Sequence, residues 1–376
     1  MQNFNKKQNK KIRIWDLPTR FYHWLQLVLV LGGLLSGFFA PEWWLAYHVW
    51  LGYALVALIV FRVVWGFFGP QYSRFSSFIF SPSTLIAHIK GIKTGNPLHF
   101  FGHNPLGALM VFSLIAVLIG IILSGLINLG GVENQGALAG FVDYATGNKA
   151  GQIHLLLAFA LIIMIILHIF GVVFESKISK ISLTKAMING DKPLVEGENA
   201  PTLRPVQIKA AILSIVGLGI ILVGGSIIMN EKPASGFIAM PANQVYQSEC
   251  SDCHIVYHPS LLPKKSWALM MNDLENHFGE DASLDEETRN EIANYLNRYS
   301  AENWDSETAN NLLVVDKKNP FQISATPYWE MRHAKIDKEI FKFKKIRSIS
   351  NCEACHSDAK TGRFADENIK IPKKQK

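Results

Sequence analysis

The sequence predicts an all-α protein in two parts: a bundle of five membrane-spanning helices, followed by a small, mostly helical domain outside the membrane. Residues 1–230 contain five apolar runs, each close to the ~20 residues needed to cross the hydrocarbon layer of a bilayer. Residues 231–376 contain no such run and carry 20 Lys and Arg against 22 Asp and Glu. All four cysteines lie in this second part, in two copies of one short pattern.

The five apolar runs cover roughly residues 21–39, 48–68, 105–127, 151–174 and 208–229. A signal peptide is the alternative for the first run, but that run is too long, no small-residue cleavage site follows it, and four more runs come after it. We therefore predict a membrane part at 1–230 and a separate domain at 244–376. Between them, residues 231–243 form a short linker in which Pro233, Gly236 and Pro241 prevent a helix.

The distribution of Lys and Arg predicts how the spans are oriented, because these residues accumulate on the cytoplasmic side. The segment before the first span and the loops between spans two and three and between spans four and five are rich in them, whereas the two opposite loops hold only Lys149. The N-terminus is therefore expected in the cytoplasm. After five crossings, residues 244–376 are expected in the periplasm of a bacterial inner membrane. The excess of cations reflects this topology and does not indicate nucleic-acid binding.

The cysteines form two Cys-x-x-Cys-His motifs, Cys250-Ser-Asp-Cys253-His254 and Cys352-Glu-Ala-Cys355-His356. This motif is typical of covalent c-type haem attachment, in which each thiol bonds a haem vinyl group and the adjacent histidine binds the iron. Two disulfides or one zinc site with four thiolates would use the same cysteines. Neither explains a histidine directly after each pair. The sequence therefore predicts two haem c groups, with His254 and His356 as iron ligands.

Four histidines of the apolar part are candidate ligands of two further haems: His23, His48, His154 and His168. A histidine inside a membrane span is costly and indicates a functional site. His154 and His168 are fourteen residues apart, which in a helix places both on one face, about 21 Å apart along the axis. Their depths pair His168 with His23 on the inner side and His154 with His48 on the outer side. A single membrane histidine is explained by an interhelical hydrogen bond, but four of matching depth favour two haem b groups.

Several segments of the first part match a known pattern: Ile14-Trp-Asp-Leu-Pro-Thr-Arg-Phe-Tyr-His23-Trp, Tyr47-His48-Val-Trp-Leu-Gly-Tyr53, Phe61-Arg62-Val-Val-Trp-Gly66, Gly102-His-Asn-Pro-Leu-Gly107 and Gln152-Ile-His154. They resemble the bacterial cytochrome b561 family, which includes the b-type subunit of membrane Ni/Fe-hydrogenases, over about residues 12–230. The resemblance implies bis-histidine haems at the four positions and quinone-linked electron transfer. Arg62 matches a position whose guanidinium pairs with a haem propionate; the alternative is a side chain that extends to the inner interface.

The second part contains equally specific segments: Glu249-Cys-Ser-Asp-Cys-His254, Tyr257-His-Pro-Ser-Leu-Leu-Pro263, Ser266-Trp267, His277-Phe-Gly-Glu-Asp-Ala-Ser-Leu284 and Cys352-Glu-Ala-Cys-His356. They resemble the small dihaem cytochrome c family over about residues 240–372. The resemblance implies that both c-type irons are bis-histidine, with His277 and His333 as the sixth ligands.

The residues themselves leave the sixth ligands partly open. His258 lies only four residues after His254 and is expected at the surface or against a propionate. His277 is expected in a helix at 267–278 that closes over the first haem, whereas His333 precedes the second motif and would serve the second haem. The reverse assignment of these two histidines stays open. Methionine ligation would use Met270, Met271 or Met331.

Three other histidines, all before the third span, are assigned weaker roles. His88 is expected on an amphipathic stretch, residues 83–92, at the cytoplasmic surface. His99 and His103 are expected in loop or helix-capping roles, with contact to a quinone or a propionate as the alternative.

These features together predict a membrane electron-transfer cytochrome. Electrons would pass between the quinone pool, or a partner dehydrogenase, and a soluble periplasmic cytochrome or other redox protein, by way of two haem b and two haem c groups. The direction of flow is left open. One alternative is a superoxide:quinone oxidoreductase, and another is a haem-containing membrane anchor of a hydrogenase-like complex. No catalytic residue is predicted beyond the redox centres, so any enzymatic activity would be of the quinol:cytochrome c oxidoreductase type.

Overall fold

The structure is a computed structural model that describes residues 11–95, 98–194 and 204–372. Within these residues the regular structure is helical, except for an antiparallel pair of three-residue strands, β1 (Lys11–Arg13) and β2 (Asp191–Pro193). The predicted all-α class is therefore confirmed. Lys6, Lys7 and Lys10, which contribute to the topology prediction, lie outside the described residues.

All five predicted spans are confirmed as long helices. The helices of the first part are α1 (Leu17–Phe39), α2 (Leu45–Phe68), α3 (Pro82–Lys93), α4 (Pro105–Gly131), α5 (Tyr144–Ile178), α6 (Leu183–Asn189) and α7 (Ile208–Asn230). Of these, α1, α2, α4, α5 and α7 are long and apolar enough to cross a membrane. The chain is therefore a multi-pass membrane protein.

Some of the long helices begin before their apolar run, because polar residues and proline start a helix independently of the membrane. α5 begins at Tyr144, ahead of the predicted span at 151–174, where the Asp143 carboxylate accepts a hydrogen bond from the Thr146 N–H (2.7 Å). α1 begins at Leu17, and Pro18 occupies its first turn, where no N–H is required. The apolar run thus marks the membrane crossing, and the cap marks the start of the helix.

The described chain forms two compact units. The bundle unit lies within Met1–Phe39, Tyr47–Gly125 and Gln152–Gly225, and the C-terminal unit lies within Ala40–Ala46, Leu126–Gly151 and Ser226–Lys376. The C-terminal unit thus includes the two segments that connect α1 to α2 and α4 to α5, which we call the connecting segments. They lie on the same side of the membrane as the C-terminal region, because they pack with it in one unit.

Buried apolar side chains from four of the spans form the core of the bundle unit: Val30, Leu55, Ile59, Leu118 and Leu161. The fifth span, α7, contributes Ala211 to a second cluster with Val64 and Trp65 of α2. Since lipid is as apolar as these side chains, close packing rather than exclusion of water holds the helices together.

The C-terminal region contains five short helices: α8 (Gln244–Ser251), α9 (Lys264–Asn272), α10 (Glu286–Arg298), α11 (Glu307–Leu312) and α12 (Pro327–His333). The longest, α10, begins at an Asp285 cap that accepts from the Thr288 N–H (3.0 Å). It buries Ile292 and Leu296, one turn apart. These two side chains complete a core with Tyr246, Leu262, Trp267 and Met271.

Candidate haem sites

The structure brings the four membrane histidines together as two ring pairs in the bundle unit. The ring centroids lie 6.4 Å apart for His23 and His168 and 6.0 Å apart for His48 and His154. α5 supplies one ring to each pair, while α1 supplies His23 and α2 supplies His48. These are the pairs expected from depth in the membrane.

Two more ring pairs lie in the C-terminal unit. His254 and His277 have ring centroids 6.1 Å apart, and His333 and His356 are also 6.1 Å apart. Each histidine of an attachment motif thus faces one of the two histidines expected as sixth ligands, and His277 faces the first motif.

All four distances match the requirement of one metal ion between two imidazoles. With metal–nitrogen bonds of about 2.0–2.1 Å and about 1.2 Å from nitrogen to ring centre, the centroids of two opposite imidazoles lie about 6.4 Å apart. Each pair could therefore hold one metal ion, such as a haem iron, between its two rings.

Hydrogen bonds orient both rings of the His48–His154 pair. His154 Nδ1 lies 2.9 Å from the backbone oxygen of Ile121. Because a carbonyl oxygen only accepts, Nδ1 carries the proton and Nε2 is left with the lone pair that a metal needs. His48 Nδ1 lies 2.9 Å from Ser36 Oγ, which in turn donates to the backbone oxygen of Gly33 (3.1 Å).

A glycine of the neighbouring helix lies against each of these two rings. A Cβ at Gly125 would lie 3.1 Å from His154 Cε1, and one at Gly37 would lie 3.3 Å from His48 Cε1. Both distances are shorter than ordinary carbon–carbon contact, so the rings reach these positions because the two residues have no side chain.

The Arg62 side chain is enclosed in the bundle unit, with 4 % of its surface exposed. Its guanidinium donates to the backbone oxygen of Ser73 (3.2 Å) and lies 4.7 Å from the centre of the Phe75 ring. The side chain therefore does not extend to the surface of the unit. Its pairing with a haem propionate remains a prediction.

The histidines that precede the third span are enclosed by aromatic rings. His88 lies on α3, as expected, but its ring is fully buried and contacts Phe100 at 5.5 Å. The His103 ring lies between Trp15 (4.6 Å) and Phe78 (4.7 Å). Burial lowers the pKa of His103 to about 3, so its ring is neutral.

The prediction that His277 lies on a helix at 267–278 is wrong. α9 ends at Asn272, and His277 lies in a turn closed by hydrogen bonds with Glu280, from N–H to oxygen in both directions (2.9 and 3.2 Å). The helix stops because Asn272 and Asp273 favour turns over helix interiors, since their side chains compete for backbone hydrogen bonds.

α12 presents the His333 ring. The ring stacks on Trp329 with a centroid distance of 4.2 Å and an interplanar angle of 12°. Its Nδ1 lies 2.8 Å from the Trp329 backbone oxygen, which leaves Nε2 for a metal. Burial lowers the pKa of both His333 and His356, the latter to about 4, so both rings are neutral as iron ligation requires.

The four cysteines are free thiols, as attachment to haem vinyl groups requires. Burial raises the pKa of Cys250 and of Cys352 to about 11. Two free thiols in each motif fit attachment to the two vinyl groups of one haem.

The expectation that His258 lies at the surface is wrong, whereas the alternative, contact with a propionate, stays a prediction. The residue is 5 % exposed, and its Nδ1 accepts a hydrogen bond from the Ser260 backbone N–H (3.3 Å). The ring packs edge-on against Trp304 at 4.8 Å. His258 therefore supports the fold beside the first motif.

Three of the paired rings have a buried Nδ1 without a hydrogen-bond partner among the described residues: His23, His277 and His356. A buried polar atom without a partner costs stability. An iron bound at Nε2 would leave these Nδ1 atoms unpartnered, so the fit to haem rests on the ring distances and the free thiols.

Two segments of the chain match models of known protein families. Residues 14–190 match the family model of prokaryotic cytochrome b561, and residues 246–364 match that of dihaem cytochrome c. The first match ends before α7. No curated protein matches the chain significantly.

Solved structures similar to this chain are dihaem cytochromes c. A dihaem cytochrome c from Rhodobacter sphaeroides is 40 % identical, over 33 % of this chain and 98 % of its own, with a TM-score of 0.29. A second structure from the same organism is 38 % identical over the same shares, with a TM-score of 0.27. A dihaem cytochrome c from Shewanella baltica is 30 % identical, over 35 % of this chain and 95 % of its own, with a TM-score of 0.29.

Five apolar helices, paired histidines, two attachment motifs and two family matches lead to one assignment. The second part of the chain belongs to the dihaem cytochrome c family, the first part matches the model of prokaryotic cytochrome b561, and the chain is a membrane-associated electron-transfer cytochrome with b-type and c-type haem.

Proposed function

We propose that this cytochrome carries electrons between the quinone pool and a soluble redox protein of the periplasm, with two b-type and two c-type haems in one chain. The observation that supports it best is the set of four imidazole pairs, each with centroids 6.0–6.4 Å apart. A haem held in this way takes up or gives off one electron at its iron.

The proposed ligand sets follow the pairs. His23 with His168 and His48 with His154 would hold the two b-type irons. His254 with His277 and His356 with His333 would hold the c-type irons, while the thiols of Cys250, Cys253, Cys352 and Cys355 fix the two c-type groups to the chain. Two histidines per iron leave no open position for a substrate, which favours electron transfer over chemistry at the metal.

The protein's own part is to keep each imidazole neutral, oriented and dry. The Ile121 and Trp329 backbone oxygens hold the Nδ1 protons of His154 and His333, which leaves Nε2 of each ring free to bind a metal. A carbonyl acceptor at Nδ1 also makes the imidazole a stronger donor to the metal. Arg62 would supply a buried positive charge for a propionate.

A periplasmic position of the C-terminal region is part of the proposal. Lys90, Lys93, Lys177 and Lys180 lie in or next to the segments that join spans two to three and spans four to five, whereas Lys149 is the one Lys or Arg of the connecting segments. The C-terminal region packs with the connecting segments, and Lys-rich loops remain in the cytoplasm.

The test uses the full-length protein in lipid vesicles, with a quinol as donor and a soluble cytochrome c as acceptor. We expect the quinol to reduce both b-type and c-type absorption bands and the acceptor to reoxidise them. In His154→Ala, the quinol should reduce the c-type haems only at the background rate, the rate of direct reaction that bypasses the b-type haems. Dithionite should still reduce the c-type bands of this variant. Unchanged c-type reduction in that variant would rule out this route.

Two other outcomes would redirect the assignment. Quinone reduction that depends on superoxide would indicate a superoxide:quinone oxidoreductase. Co-purification with a metal-containing dehydrogenase subunit, together with inactivity of the isolated chain, would indicate a membrane anchor of a hydrogenase-like complex.

A further inference from the structure

Arg332, the residue before His333, is the centre of a partly buried network of ion pairs in the C-terminal unit. Its guanidinium pairs with Glu42 (Nη2 to Oε2, 3.3 Å), with Glu307 (Nη1 to Oε1, 3.7 Å) and, through a short contact, with Asp366. The three carboxylates come from a connecting segment, from α11 and from a turn beyond the second attachment motif. One side chain thus joins three segments that are distant in sequence.

Three of the four side chains are largely shielded from water. The exposed fraction of the side chain is 22 % for Arg332, 21 % for Glu307 and 10 % for Asp366, whereas Glu42 is half-exposed (51 %). Burial opposes the positive charge of Arg332, but Glu307, Tyr328 and Asp366 outweigh it and raise the pKa of the guanidinium. Removal of one partner of a buried ion pair strongly destabilises the folded protein, because the other charge is left uncompensated.

α12 depends on this network for its position. The helix has seven residues, and none of them is buried. Its N-terminal end is fixed by Thr326, which is fully buried and whose hydroxyl caps the Trp329 N–H (3.3 Å). Its C-terminal end carries Arg332 and His333, and the ion pairs of Arg332 fix that end.

The His333 ring follows the helix closely, because it is stacked on Trp329 and hydrogen-bonded to the backbone oxygen of that residue. A displacement of α12 therefore moves the ring and changes its distance of 6.1 Å from the His356 ring. Iron ligation tolerates changes of only a few tenths of an ångström in bond length.

We propose that Arg332 is a positioning residue of the second c-type site: its ion pairs with Glu42, Glu307 and Asp366 hold α12 where His333 can bind the iron opposite His356. The inference rests on the proposed function, in which His333 and His356 are the axial ligands. Replacement of Arg332 is therefore expected to alter the second c-type site and to leave the His254–His277 pair unchanged.

The experiment compares Arg332→Gln, Arg332→Lys and wild type in the full-length protein. The matched control is Arg298→Gln, the same exchange at an exposed arginine of α10. Covalent haem is measured in the denatured chain, axial ligation by electron paramagnetic resonance of the ferric protein, and reduction potentials by optical titration. In Arg332→Gln we expect two covalent haems, loss or change of one of the two c-type low-spin signals, and an upward shift of one c-type potential, because weaker histidine donation favours ferrous iron.

Arg332→Lys, which retains the charge, should restore part of the signal, and Arg298→Gln should match wild type. The proposal is overturned if Arg332→Gln binds both c-type haems with unchanged signals and potentials. Glu42→Gln and Asp366→Asn, which keep the shape of the side chains, provide a second test if Arg332→Gln does not accumulate. A smaller shift in the reduction potential of the same c-type haem in these variants supports the proposal. Wild-type signals and potentials in both variants overturn it.

A failure of the proposed ligand set is distinguishable from a failure of this inference. If His333→Ala itself leaves both c-type low-spin signals intact, then His333 is not a ligand and the proposed function needs revision. If His333→Ala removes one signal and the Arg332 variants do not, only the role of Arg332 is refuted.

Discussion

His258 should make the stability of the C-terminal unit depend on pH. Its Nδ1 accepts a hydrogen bond from the Ser260 N–H and also lies 2.7 Å from Ser260 Oγ. A ring nitrogen that accepts from a backbone N–H carries no proton, so the imidazole is neutral in the folded protein. Protonation would bury a charge against Trp304 and would turn a hydrogen bond into a contact between two donors.

The size of the effect follows from the pKa of His258, which burial lowers from 6.5 to about 4. As the pH falls, the unfolded chain binds the proton first, so unfolding becomes more favourable. The stabilisation is fully present above about pH 6.5 and is lost as the pH falls through about 4. A difference of about 2.5 pH units at ~1.4 kcal/mol each amounts to about 3 kcal/mol of unfolding free energy.

The assay is denaturant unfolding of the full-length protein at pH values from 7 to 4, followed by the Soret absorption of the c-type haems. His258→Asn keeps an acceptor oxygen for the Ser260 N–H but does not titrate. Between pH 7 and pH 4, wild type should therefore lose about 3 kcal/mol more than this variant. Trp304→Phe is the packing control. It should lower the unfolding free energy at all pH values and keep the wild-type dependence of that free energy on pH. If the unfolding free energies of wild type and His258→Asn change equally with pH, the reasoning is refuted.

The remaining variants test the haem sites. Replacement of both Cys250 and Cys253 by alanine should halve the covalent haem of the denatured chain and leave the b-type spectrum unchanged, because the two family regions bury separate cores; loss of the b-type spectrum as well would contradict this. His154→Ala and His168→Ala each remove one ring of a different pair, so each should abolish one of the two b-type low-spin signals in electron paramagnetic resonance. Two intact b-type signals in either variant would contradict the proposed ligand pairs.

The membrane part could be predicted in detail because a bilayer permits few structures. An apolar run that crosses it forms a helix, since its backbone polar groups have no other partners. A helix then fixes the relation between residues far apart in sequence, as between His154 and His168 of α5. The sequence therefore predicts both the spans and the ring pairs. It does not identify Ser36, Gly37 or Gly125, because no local pattern distinguishes them from other small residues of the spans.

The C-terminal part was less predictable because its site residues lie in turns and short helices. The expected helix around His277 fails at Asn272, where local side-chain competition outweighs the apolar spacing of Met270 and Leu274. The network of Arg332 joins Glu42 to residues nearly three hundred positions later, and no sequence periodicity indicates such a contact. His258 resembles a surface residue in sequence, and only tertiary packing against Trp304 reveals its burial.

The two kinds of site meet one geometric requirement by different means. In the bundle unit, long helices satisfy their own backbone hydrogen bonds. The geometry of α5 fixes the spacing of His154 and His168, and packing against α1 and α2 brings each partner ring to 6.0–6.4 Å. In the C-terminal unit, a turn and the seven-residue α12 carry the proposed sixth ligands, and helices this short are not stable by themselves. Covalent attachment to the motif cysteines would compensate for a small core, and long-range contacts such as those of Arg332 would hold the rings. The proposed b-type ligands can therefore be derived from spacing, whereas the proposed c-type sixth ligands depend on the tertiary structure.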